Sequence, residues 1–394
     1  MAGSACVVFD PSLTDYDFGP MHPLDPVRVD LTMRLARAMG VLNAGRLVQV
    51  DAPVAPDDLI ATVHSDAYMD AVMRMGEDPY RSEPEYGIGT PDTPAFAGMH
   101  AASAHIVGAS VEAARRVWEG ETLHAANIAG GLHHAMPDSA SGFCVYNDPA
   151  IAIRWLLAQG AERVAYVDVD AHHGDGVQTA FYDDPRVLTL SIHETPETMF
   201  PGTGFPTETG RGGGVGKAVN VALPPGTSDA GWLRAFHAIV PPLLNEFDPQ
   251  VMVTQHGCDS HVDDPLTHLM LTVDGQRAAH LALHELAHQV CAGKWVALGG
   301  GGYSIVDVVP RTWTHLLSIV GGHPIDPGAT VDGGWREHVR ALTGGHAAPT
   351  QMTDGRAPEF KDWSMGYDPA SWLDRSIQAT REAIFPPNGL DAHY

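Results

Sequence analysis

Short runs of β-branched and other apolar residues recur along the chain, separated by longer stretches with helical patterning. The runs at 5–9, 47–50, 125–129, 164–169, 187–192, 218–223, 251–255 and 296–298 have the length and composition of strands. The stretches 27–39, 65–75, 98–118, 149–159, 230–247, 275–292 and 305–320 have the spacing of helices. Asp148-Pro149 predicts a helix start, with the acid as cap and proline at the first helical position. Strands alternating with helices predict an α/β fold: three layers, α/β/α, around a mostly parallel sheet of about eight strands. Ligands in such sheets sit outside the carboxyl ends of the strands.

Polar residues gather at those ends. Apolar Val164 to Val167 lead into Asp168, Asp170 and His172, spaced by two. A strand continuing through them would place all three on one face. Burying two carboxylates and an imidazole costs several kcal/mol (about 2–7 per polar group) unless they are paired or bound to metal. A glycine-bracketed turn with His173 and Asp175 follows. After 125–129 comes a Gly-Gly loop with His133 and His134, two imidazoles able to take and give protons. After 251–255 come Asp259, His261 and Asp263. After 296–298 come Gly299 to Gly302 and Tyr303, a phenol placed to meet a developing oxyanion. That glycine run lacks the Lys-Ser/Thr of a phosphate-binding loop and the spacing of a dinucleotide fingerprint.

Composition narrows the function classes. The 394 residues are 44% hydrophobic, enough for an ample core, and no long apolar run of membrane-spanning length occurs. The formal net charge of −25 disfavours nucleic-acid partners, because an acidic surface repels phosphate. Cys6, Cys144, Cys258 and Cys291 are far apart, without metal or redox spacing. Reduced cysteines and the absence of a recognisable signal segment lead to the expectation of a cytoplasmic protein.

The segments GGLHHA (130–135), SGFCVYND (141–148), YVDVDAHHGDG (166–176), SIHE (191–194) with FPGTG (200–204), GCDSHVDDP (257–265) and GGGGY (299–303) closely resemble the histone-deacetylase superfamily, in the family's order and spacing. The resemblance spans roughly 5–320. The loop Gly87 to Phe96 makes the chain most similar to bacterial acetoin-utilisation-type deacetylases.

The resemblance implies one deacetylase domain over 1–394, with a motif-bearing core at about 5–320 and a 323–394 extension packed on it. It implies a divalent metal, Zn2+ or alternatively Fe2+, on Asp170, His172 and Asp259. Asp168 would orient His133 and Asp175 would orient His134; His134 would activate water, and Tyr303 would polarise the acetyl carbonyl. Phe143 and Phe200 match tunnel walls and Leu266 the rim. Asp92 would accept backbone hydrogen bonds from a peptide, Gly142 would offer a carbonyl to the substrate amide, and Gly301 belongs to the substrate-binding set. Asp168, Asp170, His172, Ser191 and Ile192 match a structural K+ site.

The implied reaction is hydrolysis of an acetylated amine, with acetyl-lysine in a protein or peptide as the expected substrate and an acetylpolyamine as the alternative. A binuclear, arginase-like centre would need carboxylates where Gly174 and His261 stand. A remote rival is His284-Glu-Leu-Ala-His288, which matches the HExxH of zinc proteases. Its continuation fails, with Cys291 and Lys294 where a metzincin requires Gly and His. It lies on a connecting helix away from the strand ends, and is expected to be a bystander. The segment 368–384 is expected to form a capped helix that docks on the domain.

Overall fold

The computed structural model describes residues 5–43 and 45–393. Its strands are β1 (Ala5–Val8), β2 (Leu47–Val50), β3 (His124–Asn127), β4 (Val164–Asp168), β5 (Val187–Glu194), β6 (Ala218–Leu223), β7 (Val251–Gln255) and β8 (Trp295–Leu298). They form one eight-stranded sheet in the order β2-β1-β3-β8-β7-β4-β5-β6. Every adjacent pair is parallel. Strands β3 to β8 are buried at every position, which explains why their sequences are apolar runs rather than alternations. The edge strand β2 is the one that reaches solvent among the described strands, at Gln49.

The expected strands and helices all form, with shifted ends. Helix 305–320 begins later, as Val309–Val320, with Pro310 in its first turn, where a missing N–H costs nothing. Asp148 is not the cap of its helix. Asn147 is, its side chain accepting the Ala150 N–H, and Asp148 is the first residue of Asp148–Ala158. The carboxylate freed from capping turns into the interior, with consequences for the site. Three helices escaped the sequence pattern, the first of them the single turn Asp57–Ile60. Asp175–Phe181 begins inside the glycine- and histidine-rich motif, and Gly333–Leu342 begins on a Gly-Gly pair.

The segment after 322 packs on the rest. Trp335, Val339 and Met352 form a small second core with Leu31 and Leu35, and the Trp335 indole N–H donates to the Leu31 carbonyl. The terminal helix is Trp372–Ile384, capped by Ser371. Its Asp374 forms a buried pair with Arg234, and Thr380 donates to the Asn220 carbonyl of β6. It therefore covers the β6 edge, which would otherwise present open backbone groups. Trp372 itself is largely exposed.

Candidate metal centre and proton-carrying pair

Strand β4 stops at Asp168, so Asp170 and His172 lie in the turn beyond it rather than on a continuing strand face. They converge nonetheless. His172 Nδ1 is 3.0 Å from Asp170 Oδ1 and 3.0 Å from Asp259 Oδ2. Asp259 arrives from the loop after β7, and its other oxygen accepts the Ala171 N–H at 2.8 Å. Asp170 Oδ2 accepts from Gln255 Nε2 at 2.8 Å and from the Gly301 N–H at 2.9 Å. All three side chains are buried. Two carboxylates this close in a dry site demand a positive charge. Burial and the charge of Asp170 push Asp259 up to about 7. Burial also opposes ionisation of Asp170, but His133 and His172 outweigh it and hold that carboxyl well below its usual range. Burial opposes a charge on His172 too, but the same two carboxylates outweigh it and raise the imidazole well above its usual range. Three buried oxygen and nitrogen donors within 4.8 Å of one another fit a divalent cation.

Glycines make room for this. A Cβ on Gly257 would overlap Asp170 Oδ2, and one on Gly301 would overlap Asp259 Oδ2. The glycine loop is held from behind by Arg28, which donates to the Gly300 and Gly302 carbonyls at 2.9 and 3.1 Å. Asp264 joins that loop to the Asp259 loop, accepting from the Tyr303 N–H at 2.8 Å and the Leu266 N–H at 3.0 Å.

Beside these donors stand His133 and His134. His133 Nδ1 is 2.7 Å from Asp168 Oδ2, and His134 Nδ1 is 2.7 Å from Asp175 Oδ1. Tyr166 also donates its hydroxyl to Asp168 Oδ2 at 2.7 Å. The two Nε2 atoms are 3.0 Å apart. Burial lowers both imidazoles, but the charges of Asp168 and Asp170 reverse this for His133 and raise it to about 9. His134 stays lowered, by burial and by the neighbouring His133. The loop carrying the pair is fixed by Asp148, whose carboxylate accepts the Gly131 and Leu132 N–H groups and the Ser110 hydroxyl. Burial drives that carboxyl up to about 6.

A narrow cavity of about 10 Å³, room for roughly one water, opens onto the pair, Asp170 and His172, between Phe143, Tyr303 and Leu24. Phe143 has φ 66°, and its ring meets Tyr303 edge-on at 5.7 Å. Phe200 is 45% exposed and packs edge-on to His134 at 5.1 Å. Leu266 is exposed on the Asp259 loop and does not line the cavity. Asp92 is engaged within the chain: its Oδ2 accepts the Gly142 N–H at 2.8 Å. The Gly142 carbonyl is met by the Cys144 thiol at 3.2 Å. Ser191 lies opposite Asp168 in the β4–β5 register, beside buried Ile192, and its hydroxyl bonds His193 Nδ1 at 2.8 Å.

The sequence reading missed Leu24, Arg28, Asp148, Gln255, Gly257 and Asp264. Asp148 and Gln255 were visible as polar residues at element ends. Arg28 and Leu24 carry no local signal, since they act from a distant helix and the loop before it.

The parallel sheet and the cluster at its strand ends define a hydrolase with a candidate carboxylate–imidazole metal site. The histone deacetylase domain profile matches residues 22–320, and the chain belongs to the histone deacetylase family. The acetoin utilization protein AcuC of Bacillus subtilis (strain 168) is 44% identical over 330 residues, covering 83% of this chain and 84% of that one. AcuC of Staphylococcus xylosus is 38% identical over 321 residues, covering 80% and 83%. Among solved structures, a histone deacetylase homologue from Aquifex aeolicus aligns with TM-score 0.81 and 27% identity, over 96% of this chain and all (100%) of that one. A histone deacetylase homologue complexed with SAHA aligns with TM-score 0.80 at the same 27% identity, over 96% of this chain and 100% of that one.

Proposed function

We propose that this deacetylase is a metal-dependent amidohydrolase that removes the acetyl group from Nε-acetyl-lysine in proteins or peptides. The observation that carries the proposal is the meeting of Asp170, His172 and Asp259 beside two imidazoles, each backed by its own aspartate at 2.7 Å.

Asp170, His172 and Asp259 would hold a divalent cation, which when bound supplies Lewis-acid polarisation of the acetyl carbonyl and of water. Zn2+ suits three N/O ligands with a position left open, and the two carboxylates also suit Fe2+. Both Nδ1 atoms donate to carboxylates, so the Nε2–Nε2 contact holds a single proton. The pair is then one imidazolium and one imidazole. His134, the neutral partner, takes a proton from the attacking water at Nε2. The new C–O bond forms as that proton leaves, and Tyr303 donates its hydroxyl to the oxyanion. His133 gives its Nε2 proton to the amide nitrogen as the C–N bond breaks, releasing the neutral amine and acetic acid. The acid's proton passes to the amine, so acetate and an ammonium depart, and the proton that His134 took from water restores the imidazolium of the pair. Phe143 and Phe200 flank the four-methylene stem and exclude water from it. Asp92 steadies the Gly142–Phe143 turn, with its second oxygen left for a substrate N–H.

Steady-state assays of metal-loaded protein on acetyl-lysine peptides and on acetylpolyamines test the proposal. Turnover of the peptides with the higher kcat/KM is expected. A clear preference for acetylpolyamines would move the substrate to small amines, and inertness toward both would sink the assignment.

A further inference from the structure

The HExxH segment is remote from the deacetylase centre, as the pattern predicts, but it is not solitary. Helix Val273–Val290 presents His284 and His288 one turn apart, on one face. That face meets His124, the first residue of β3. The ring centroids lie 4.8 Å apart for His124–His284, 5.0 Å for His124–His288 and 4.8 Å for His284–His288. One nitrogen from each of the three falls within 4.8 Å of the others. This place is at the amino ends of β3 and β8, where His124 pairs in register with Trp295, opposite the end that carries Asp170 and Asp259.

The bonding of each ring suits a ligand. His124 Nδ1 lies 2.9 Å from the Val320 carbonyl, which can only accept, so Nδ1 carries the proton and Nε2 is bare. A backbone carbonyl on the far nitrogen is the usual support of a metal-binding histidine. The bare Nε2 faces His288 Nε2 at 3.1 Å. His284 Nε2 is buried and has no hydrogen-bond partner. Nitrogens around one tetrahedral ion at about 2.05 Å stand about 3.3 Å apart. His124 Nε2 and His288 Nε2, 3.1 Å apart, are already near that spacing, and all three ligand nitrogens lie within 4.8 Å of one another. Trp295 packs against His124 and His284 and closes the inner side.

We propose that His124, His284 and His288 form a second metal site, for a borderline transition-metal cation of the Zn2+ class, separate from the deacetylase centre. Protease chemistry does not come with it. Glu285, the acid of the motif, is exposed and accepts from Gln289 on the outer side of the helix. The cation clamps the end of helix Val273–Val290 to the start of β3 and, through His124, to the end of helix Val309–Val320.

Zn2+ titration of the chelator-stripped full chain against a chromophoric competitor tests this. The wild-type chain is expected to bind a second equivalent that raises Tm. H284A/H288A is expected to lose that equivalent and its Tm gain while keeping kcat/KM. H288A alone changes an exposed residue, leaves the core intact, and is expected to weaken the second equivalent by about tenfold or more. A D170A/D259A variant is expected to lose the other equivalent and keep this one. Binding of a single equivalent by the wild-type chain would overturn the proposal, as would survival of the second equivalent in H284A/H288A and H288A.

Discussion

The Nε2 atoms of His133 and His134 lie 3.0 Å apart, and each ring is fixed from behind by a different aspartate. The two aspartates are not equivalent. Asp168 also accepts the Tyr166 hydroxyl and the Asp170 N–H, whereas Asp175 otherwise accepts only its neighbour's N–H, from Gly176. Asp175→Asn is therefore the cleaner probe. The amide oxygen still accepts the His134 proton, but the charge that makes the ring basic is gone. A loss of about 10–100-fold in kcat is expected, the range for removing such a supporting carboxylate, with bound metal unchanged. Kinetics with elemental analysis checks it. Undiminished kcat would mean that His134 is not the base.

Tyr303 lines the cavity with His134, Asp170 and His172, and burial holds its phenol well above the usual range, so it is a proton donor at neutral pH. Its backbone is tethered independently, through its N–H to Asp264. Tyr303→Phe should keep the loop in place while removing one oxyanion donor. A fall of about 10²–10³ in kcat is expected, with KM and metal content nearly unchanged. A variant with near wild-type kcat would exclude the phenol from the reaction.

The sheet was legible because its strands are buried on both faces and are written as apolar runs. The site was legible in part because its residues follow those runs. What was not legible is what non-local packing decides. Asp148 looked like a helix cap, but Asn147 beside it takes that role and leaves the carboxylate to hold the His133–His134 loop. The pattern DAHHGDG implied only a turn, yet a helix starts on Asp175. No local signal ties His124 to a histidine pair about 160 residues downstream, since a short strand and a long helix meet there only in the folded chain.

Gly301 offers a test of the metal centre without replacing a ligand. Its backbone is not in the left-handed region that reserves a position for glycine. Its missing side chain matters because a Cβ would overlap Asp259 Oδ2 and come within 3.0 Å of Asp170 Oδ2. Gly301→Ala should push one carboxylate off the common point. Metal affinity is expected to fall by about 10–100-fold, as for other changes that misplace a ligand, with activity restored at saturating metal. Wild-type affinity in a metal titration would show that Asp259 is not a ligand.

The extension after 322 should make stability depend on acid through Asp354. Its Oδ2 bonds His261 Nε2 at 2.9 Å and the Val273 N–H at 2.8 Å, while its Oδ1 pairs with Arg311 at 2.8 Å. Burial opposes its ionisation, but the bonds to His261 and Val273 and the charge of Arg311 outweigh burial and hold it well below its usual value. A carboxyl depressed by folding stabilises the fold at every pH above its unfolded value of about 3.9, and that contribution is lost as pH falls through the folded value. Asp354→Asn should therefore lower stability at neutral pH by about 1–3 kcal/mol, the cost of leaving buried donors without their charged acceptor. The difference in Tm between the two proteins should then shrink as pH falls below about 4, because the carboxyl of the unfolded wild-type chain binds a proton there while the folded one is still ionised, and the contribution is gone only below the folded value. Thermal melts across that range check it. A gap that stays constant with pH would mean that Asp354 acts through shape alone, and that its charge does not tie the extension to the Asp259 loop.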